Sequence, residues 1–319
     1  MTYRQLMDFI TSRNTFQDDV IHGLQRIPKR IPCKYLYDER GARLFEEICE
    51  LEEYYPTRTE LSIMNRNVAE MASQLGSRCL LIEYGSGSGI KTRILLKALI
   101  EPVGYVPIDI SRDQLTEAAA NLGQQFPALE VLPVCADYTD HYELPPTRRP
   151  ANRRIVYFPG STIGNFKPDA AKEFLSHIRE VCGEGGGLLI GVDLKKDKAV
   201  LEQAYNDAEG VTAAFNLNLL RRINRELNAD CRVDRFIHQA HFNEEHNRIE
   251  MHLVSKCKQT VHIGEEEFVI GKEETIHTEN SYKYSLDGFA ELADTSGLRV
   301  EQVWTDEKRF FSVQYLEVA

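Results

Sequence analysis

A glycine-rich turn after an apolar strand is the part of this 319-residue chain best suited to ligand chemistry. Residues 80–92 read LLIEYGSGSGIKT, and a helical pattern begins near Lys91. A strand that ends in glycines and opens a helix brings backbone N–H groups close to a polar ligand. A tight corner between strand and helix is the purely structural alternative. Dinucleotide loops have the spacing G-x-G-x-x-G, but residue 90 is Ile, which disfavours a nicotinamide dehydrogenase.

Strands and helices alternate on both sides of this turn. Helices are predicted over 58–75, 92–99, 111–125 and 168–181, and strands over 104–110, 129–134, 154–158 and 187–192. This alternation implies a doubly wound parallel sheet, on which ligands bind beyond the carboxyl ends of the strands. The polar residues predicted to meet at that edge are Gly85–Gly89, Asp109, Asp137–Tyr138, Ser161–Asn165 and Asp193.

Two of these strand ends suit a nucleoside. Asp109 follows the glycine turn by about 20 residues, where a carboxylate can accept hydrogen bonds from a ribose. Capping of a strand or helix end is the alternative for Asp109. Asp137 and Tyr138 could hold an adenine by an acceptor for its amino group and a flat apolar surface, or they could form a simple turn.

The remaining segments predict a second lobe. Short helices are expected around Met7–Ile10 and Val20–Leu24, an extended segment over 31–37 and a helix over 42–51. Capping boxes are expected at Thr57 with Glu60 and at Ser111 with Gln114. A helical region is predicted over 198–227, with a break at Gly210. Antiparallel strands are predicted at 232–242, 248–256, 259–263 and 268–271. A helix at 286–296 and two strands at 297–305 and 310–318 follow.

Composition restricts the classes of function. A formal net charge of −11 disfavours a nucleic-acid partner. No apolar run approaches the roughly 20 residues of a membrane span, and the N-terminus has no signal-peptide pattern. Seven cysteines without C-x-x-C pairs favour reduced thiols in a cytoplasm. His238, His241 and His246 lack a neighbouring cysteine or carboxylate cluster, so no metal is expected. We expect a cytoplasmic enzyme for a small molecule, and a monomer.

Several longer motifs resemble those of the histidine-specific S-adenosylmethionine-dependent methyltransferases. An acidic residue two positions before G-x-G-x-G is typical of class I methyltransferases. The more specific matches are Tyr37-Asp38 with Phe45, EYYPTR at 53–58, GSTIGNF at 160–166, Ala204-Tyr205 with GVTAAFN at 210–216, and IHTENS at 276–281. The resemblance covers nearly the whole chain. It departs from the family at Gly89, where Ser or a larger residue is usual.

The resemblance implies an α/β fold, with a class I methyltransferase Rossmann-like sheet that ends in an antiparallel hairpin and a second α+β substrate-binding lobe. The expected division is 57–196 and 283–319 for the S-adenosylmethionine-binding domain, against 1–56 and 197–282 for the substrate lobe. The cofactor-binding residues implied are Gly85, Ser86, Gly87, Lys91, Asp109, Asp137 and Tyr138. The substrate-binding residues implied are Phe45, Tyr54, Asn165, Tyr205, Met251, Glu279 and Ser281.

The same resemblance implies the roles of individual residues. Asn165 and Tyr205 would hold the substrate carboxylate, and Glu279 and Ser281 would bind an imidazole. Tyr54 and Tyr37 are the catalytic candidates, since a tyrosine oxygen can orient an amine or relay its proton. The structural alternative for such tyrosines is an ordinary position at the edge of the core. The structural alternative for Glu279 is a solvated loop.

The implied activity is Nα-trimethylation of L-histidine to hercynine in the ergothioneine pathway, with S-adenosylmethionine as methyl donor. A carboxylate at position 279 can accept an imidazole N–H, and a site built on such a bond rejects analogues that lack it. The alternatives are Nα-methylation of tryptophan or another aromatic amino acid, which repacking of Met251 would admit, and a non-catalytic regulator that binds the cofactor.

Overall fold

The computed structural model describes residues 6–9, 15–85, 87, 89–140 and 142–319, which form two compact units. The first unit contains Thr59–Leu194, Tyr284–Ala319 and the described residues before position 12. The second contains Lys195–Lys283 and the described residues from Thr15 to Arg58.

The regular elements alternate over much of the described chain. The helices are α1 (Thr15–Gln25), α2 (Glu39–Glu50), α3 (Tyr55–Leu75), α4 (Ile90–Ala98), α5 (Arg112–Gln125), α6 (Pro168–Cys182), α7 (Lys198–Gln203), α8 (Val211–Leu227) and α9 (Leu286–Asp294). The strands are β1 (Met7–Asp8), β2 (Lys29–Arg30), β3 (Cys79–Tyr84), β4 (Gly104–Asp109), β5 (Glu130–Val131), β6 (Val134–Cys135), β7 (Arg153–Phe158), β8 (Gly187–Asp193), β9 (Phe236–Asn243), β10 (Arg248–Ser255), β11 (Gln259–Ile263), β12 (Glu266–Ile270), β13 (Thr275–Tyr282), β14 (Leu298–Thr305) and β15 (Phe311–Val318). Short 3-10 helices span Cys33–Leu36, Thr162–Asn165 and Val233–Arg235.

A mostly parallel sheet organises the first unit. Its order is β1-β6-β4-β3-β7-β8-β15-β14, with β5 beside β4. In this spatial order, neighbouring strands pair in parallel from β1 at the edge as far as β8. Strand β15 then runs antiparallel between β8 and β14. Every residue of β3 and β8 is buried, as expected for a parallel sheet covered on both faces. The predicted class I methyltransferase sheet with a terminal antiparallel hairpin is confirmed.

Alternation along β3 distributes its side chains between two apolar cores. Leu80, Ile82 and Tyr84 belong to one core cluster, whereas Cys79 and Leu81 belong to the other. Successive side chains of a strand point to opposite faces, so this single strand contributes to both layers of the unit. The central position of β3 therefore fixes the place where the glycine turn leaves the sheet.

The second unit combines an antiparallel sheet with helices. Its sheet has the order β2-β13-β10-β9, with β2 parallel to β13, and β11 and β12 form a separate hairpin. Helix α8 packs against α2 and against β9 and β10. The Asp207 carboxylate accepts hydrogen bonds from the backbone N–H groups of Val211 and Thr212, both at 2.8 Å, which fixes the start of α8.

The N-terminal predictions need three corrections. Met7 and Asp8 form β1 instead of a helix, because they pair with Val134 and Cys135 at the edge of the first sheet; Ile10 lies outside the described residues. Residues 1–56 were expected wholly in the substrate lobe, yet β1 belongs to the first unit. The segment 31–37 is not extended throughout, since Cys33–Leu36 is a 3-10 helix.

The predicted capping boxes are also wrong. Helix α3 begins at Tyr55, so Pro56 lies in its first turn, where the missing N–H costs no hydrogen bond. Glu60 cannot cap that helix, because its carboxylate binds Lys91 and the backbone N–H of Gly160. Ser111 makes no side-chain cap at α5. Instead, Asp109 accepts a hydrogen bond from the Ser111 N–H at 3.0 Å.

Two strand predictions differ from the structure. The strand expected over 129–134 is two short strands, β5 and β6, separated by Leu132 and Pro133. Strand β13 was not predicted at all. Its buried positions include Thr278, Glu279 and Ser281, so the apolar alternation that normally marks a strand is missing.

Candidate functional site

The glycine turn follows β3 with the backbone conformation that its composition predicts. Gly85 and Gly89 have φ angles of 72° and 64°, in the region that favours glycine, and Gly89 caps the start of α4. A Cβ built on Gly85 or Gly87 meets no atom within 4 Å, so open space borders the turn among the described residues. Ser86 lies outside the described residues. The turn and the N-terminus of α4 suit a ligand with polar groups.

Glu83 anchors the last part of β3 beneath this turn. Its carboxyl group is 1% exposed and accepts hydrogen bonds from the hydroxyls of Thr92 and Tyr105. Burial raises the pKa of Glu83 to about 8, although both hydroxyls oppose that shift. Thr92 lies on α4, so the bond ties the helix to the strand and holds the turn between them.

Asp109 lies beside the glycine turn. Tyr84 and Ile108 are register partners on β3 and β4, and the Gly85 N–H donates to the Ile108 carbonyl at 2.9 Å. Asp109 is the next residue after Ile108 and is half-buried. The structure thus brings Asp109 to the edge of the sheet predicted for it.

Asp137 and Tyr138 follow β6 at the same edge. Asp137 Oδ1 accepts from the Thr139 N–H at 3.0 Å and from its hydroxyl at 2.6 Å, a local turn motif. The Tyr138 ring is stacked on Tyr84 with centroids 5.2 Å apart, and it also contacts Phe158 edge-on at 5.8 Å. The structure contains both the simple turn and the flat aromatic surface that the sequence analysis considered. It therefore agrees with a turn at Asp137 and Tyr138 and also with an adenine site there.

Lys91 and Asn165 occupy different surroundings in the first unit. The Lys91 ammonium forms an ion pair with Glu60, which is 1% exposed. Asn165 ends the 3-10 helix after β7 and is half-buried. That helix is held by Ser161, whose Oγ accepts from the Asp193 N–H at 2.8 Å.

Aromatic rings form a connected cluster in the second unit. Tyr37 contacts Phe45 edge-on at 5.5 Å and Phe215 at 5.4 Å. Tyr54 contacts Phe45 at 6.2 Å and Tyr205 at 6.0 Å, also edge-on. The structure therefore brings together four of the predicted aromatic residues. Such a cluster offers a rigid, mostly apolar wall to a flat ligand.

Glu279 is the acidic residue of this cluster. It lies on β13, is 8% exposed and accepts a hydrogen bond from Tyr37. Burial raises the pKa of Glu279 to about 7, against the opposing effects of the Lys283 charge and the Tyr37 hydroxyl. Burial, followed by the Glu279 charge, raises the pKa of Tyr37 well above its usual value. A carboxyl group in such a position can change its protonation near neutral pH.

Ser281 and Tyr205 meet a lysine that the sequence analysis missed. The Tyr205 hydroxyl lies 2.8 Å from Ser281 Oγ, and Lys283 Nζ donates to Ser281 at 2.7 Å and to Tyr205 at 3.1 Å. Lys283 is 2% exposed. Glu279, Ser281 and Lys283 alternate along one chain segment, and that spacing was the available signal. Tyr205 and Ser281, expected at opposite ends of a substrate, are direct neighbours.

Met251 and Asn216 complete the surroundings of β13. Met251 is 1% exposed and is the register partner of Glu279 on β10. Asn216 is fully buried; its amide donates to His238 Nδ1 at 2.9 Å and accepts from the Thr278 hydroxyl at 2.7 Å. His238 Nε2 lies 2.8 Å from the Tyr205 carbonyl oxygen, so both ring nitrogens of His238 have partners.

Comparisons of the sequence with known proteins identify its family. The profile of the family described as "Histidine-specific methyltransferase, SAM-dependent" matches residues 16–318. The chain is 42% identical over 296 residues to a "Histidine N-alpha-methyltransferase" of Mycolicibacterium smegmatis, covering 90% of each chain. It is 40% identical over 301 residues to the protein of that name from Mycobacterium tuberculosis, covering 92% of each. It is 33% identical over 287 residues to "Ergothioneine biosynthesis protein 1" of Neurospora crassa, covering 87% of this chain and 32% of that protein.

Proposed function

Because the chain belongs to the family of histidine-specific, S-adenosylmethionine-dependent methyltransferases, we propose that it methylates the α-amino nitrogen of L-histidine three times to give hercynine. The observation that carries this proposal is the pairing of acceptor and donor on β13. Glu279 is a buried acceptor, and Ser281 belongs to a buried hydroxyl pair two residues away.

Hydrogen-bond capacity explains why this pair suits an imidazole. Lys283 donates to both hydroxyls, and one further proton is used between Ser281 and Tyr205. Whichever hydroxyl donates within the pair, the other keeps one proton for a ligand. A neutral imidazole has one N–H and one bare nitrogen. Glu279 would accept the first, and the free hydroxyl proton would satisfy the second.

The two catalytic candidates are better suited to orienting an amine than to deprotonating it as phenolates. Burial raises the pKa of Tyr54 well above its usual value, with Tyr205 adding to the effect. The pKa of Tyr37 is raised in the same direction, first by burial and then by Glu279. Both hydroxyls therefore stay protonated at neutral pH. We assign them to holding the amine lone pair in line for transfer.

S-adenosylmethionine, when bound, supplies a methyl group that its sulfonium already activates. The backbone of the glycine turn and the Asp109 carboxylate would hold it, and the open space beside Gly85 and Gly87 is compatible with a bound ligand. Lys91, Ser86, Asp137 and Tyr138 remain assigned to the same cofactor. We assign Asn165 to the substrate carboxylate, because an amine methylated repeatedly must turn while the rest of the substrate is anchored. Tyr205, which the resemblance also assigned to the carboxylate, instead shares its hydroxyl with Ser281 at the imidazole end.

We also place the product in ergothioneine synthesis, the process for which the Neurospora crassa relative is named. A cytoplasmic monomer is part of the same proposal, and the free state of all seven cysteines is compatible with a reducing compartment. None of the helices in the described part of the chain has the length and apolar character needed to cross a bilayer.

The test is mass spectrometry of the purified protein with S-adenosylmethionine and an equimolar mixture of the proteinogenic amino acids. Accumulation of trimethylated histidine alone is expected. Methylated tryptophan or tyrosine would keep the reaction and overturn the proposed role of Glu279. The absence of any methylated amino acid, with S-adenosylmethionine still bound in a titration, would overturn the proposed substrate class.

A variant pair then tests the recognition of the ring. Glu279→Ala should raise the KM for histidine by about 10- to 100-fold, the effect of losing a charge-assisted hydrogen bond, while the Kd for S-adenosylmethionine stays unchanged. Glu266→Gln is the matched control, because Glu266 is exposed on β12 of the same unit. Unchanged histidine kinetics in Glu279→Ala would remove Glu279 from the site.

A further inference from the structure

Two strands of the second unit bring together a histidine, a carboxylate and a second histidine. His241 on β9 is the register partner of Glu250 on β10. His252 lies two residues after Glu250, so its side chain lies on the same face of the sheet. The three ligand atoms lie within 4.8 Å of one another. The sequence analysis expected no metal at His241, because only the pairing of β9 with β10 brings the Glu250 carboxylate beside it. The proposed reaction does not use these residues.

The distances match those of a metal centre. Glu250 Oε2 lies 3.2 Å from His252 Nε2 and 3.6 Å from His241 Nε2. In a tetrahedral zinc site with bonds of about 2.0–2.2 Å, neighbouring ligand atoms are separated by roughly 3.3–3.5 Å. The His241 and His252 rings are stacked, with centroids 5.2 Å apart and planes 14° from parallel. The His241 ring must therefore turn out of this stack before both nitrogens can point at one ion, and 43% of its side chain is accessible.

The other carboxylate oxygen is already occupied. Glu250 Oε1 accepts from Arg248 Nε at 2.7 Å and from Asn243 Nδ2 at 3.0 Å. These bonds fix the carboxylate so that Oε2 faces the two imidazoles, the supporting arrangement usual around metal-ligating carboxylates. The Arg248 charge also opposes a cation, so the affinity should be lower than that of a site without it.

We propose that His241, Glu250 and His252 bind a divalent transition-metal cation of the zinc class, with water as the fourth ligand. Two imidazole nitrogens and one carboxylate oxygen favour such an ion over magnesium or calcium, which prefer oxygen ligands. The neighbouring histidines do not compete for it. His238 is held by Asn216 and the Tyr205 carbonyl, and His246 is exposed in the turn between the strands. His277 is stacked on His252, but its Nε2 lies 2.9 Å from the Glu279 carbonyl oxygen.

A bound cation would tie β9 to β10 in the second unit. Strand β10 also carries Met251, which pairs with Glu279 on β13. Because a ligand that binds only the folded protein stabilises it, the metal should raise the unfolding temperature of the protein. This inference concerns the stability and metal content of the chain and does not rest on the proposed substrate.

The experiment is titration calorimetry of the metal-free, untagged full chain with Zn²⁺ in the absence of histidine, which would itself chelate the ion. One ion per chain is expected. His241→Ala and Glu250→Gln should each weaken binding by more than about 10-fold, since even partners behind the ligands contribute 10- to 100-fold. His241 is partly exposed, so its variant should fold. His246→Ala is the matched control and should bind like the unaltered protein.

Co²⁺ provides an independent readout of the ligand geometry. Its visible absorption is intense in tetrahedral coordination and weak in octahedral coordination, so the intense bands should appear with the unaltered protein and disappear in His241→Ala. Equal Zn²⁺ affinity in the unaltered protein, His241→Ala and Glu250→Gln would overturn the proposal. So would a stoichiometry near zero in the unaltered protein.

Discussion

Lys283 Nζ lies 2.7 Å from Ser281 Oγ and 3.1 Å from the Tyr205 hydroxyl, so one buried ammonium donates to both members of a hydroxyl pair. A serine oxygen can accept two hydrogen bonds and donate one. Lys283 thereby restricts the directions in which the Ser281–Tyr205 pair can offer its remaining proton. It also lowers the pKa of Glu279, against the larger effect of burial. From these two effects we infer that Lys283 positions the groups that would bind the substrate.

Lys283→Met should therefore raise the KM for histidine by about 10- to 100-fold, the value of hydrogen bonds from a charged group. Binding of S-adenosylmethionine, measured by calorimetry, should not change. Lys283→Arg should recover part of the loss because it restores the charge. Lys198→Met, at an exposed lysine on α7, is the control. A loss of kcat with an unchanged KM in Lys283→Met would contradict the positioning role.

The ionisation of Glu279 predicts a pH profile. The pKa of this carboxyl is about 7, and its ionised form accepts an imidazole N–H in a stronger, charge-assisted hydrogen bond than its neutral form does. The value of kcat/KM for histidine, which reports the free enzyme, should rise with pH through about 7 and then level off. Glu279→Gln should lack this limb, while the ionisations of the substrate itself persist. Superimposable profiles for the two proteins would exclude Glu279 as the titrating group.

Tyr37→Phe separates a positioning role from a role in proton transfer. The Tyr37 hydroxyl lowers the pKa of Glu279, so its loss should shift the ascending limb of kcat/KM to higher pH. The ring contacts with Phe45 and Phe215 should persist in the variant. Recovery of activity above that limb indicates positioning, whereas a loss of kcat at every pH would show that the hydroxyl acts in the chemical step. Tyr54→Phe should leave the limb in place, which makes it the matched control.

Much of the first unit could be predicted because its sequence follows local rules. Strands β3, β4, β7 and β8 are largely apolar, and a glycine or an aspartate lies at the end of each strand or within two residues of it. The carboxyl ends of parallel strands meet at one edge, so Asp109 could be assigned there without a structure. The failures at Glu60 and Ser111 have different causes, because Ser111 donates locally to Asp109 whereas Glu60 makes a long-range contact. A capping box is a local pattern, and Glu60 instead binds Gly160, 100 positions away.

The second unit was less predictable because its informative residues are buried and polar. Glu279, Ser281 and Lys283 lie on or just beyond a strand whose sequence is typical of a solvated loop, and only pairing with β10 buries that strand. The family motifs singled out Glu279 and Ser281, and the structure brings both into one aromatic and polar cluster with Tyr37 and Tyr205. The motifs had put Tyr205 at the other end of the substrate. Periodicity could not show that the Tyr205 hydroxyl would reach Ser281, 76 residues later.

Asp109 allows the proposed cofactor-binding site to be tested separately from the substrate-binding site. If its carboxylate binds the ribose, Asp109→Asn should raise the Kd for S-adenosylmethionine by about 10- to 100-fold through the loss of charge-assisted hydrogen bonds. The KM for histidine at saturating S-adenosylmethionine should stay the same. Asp113→Asn, at an exposed position on α5, is the control. Equal calorimetric affinities in the two variants would rule out the ribose-binding role of Asp109.

Glu83 predicts how stability depends on pH. The ordinary pKa of a glutamate carboxyl is 4.5, and burial is the main cause that raises the pKa of Glu83 to about 8 in the folded protein. The folded state thus binds this proton more tightly than the unfolded state does. The resulting contribution to the free energy of unfolding is complete below about pH 4.5 and is lost as the pH rises through about 8. Glu83→Gln keeps the size of the side chain and removes its titration, so its stability should fall less over that range.

Urea unfolding of both proteins between about pH 5 and pH 9 measures the effect, with Glu117→Gln on the exposed face of α5 as control. The difference in free energy between the unaltered protein and Glu83→Gln should change with pH, whereas the control should run parallel to the unaltered protein. A constant difference for Glu83→Gln would mean that the carboxyl is already ionised in the fold. Thr92 and Tyr105 would then be donating to a carboxylate, and the anchoring of the glycine turn would be charge-assisted.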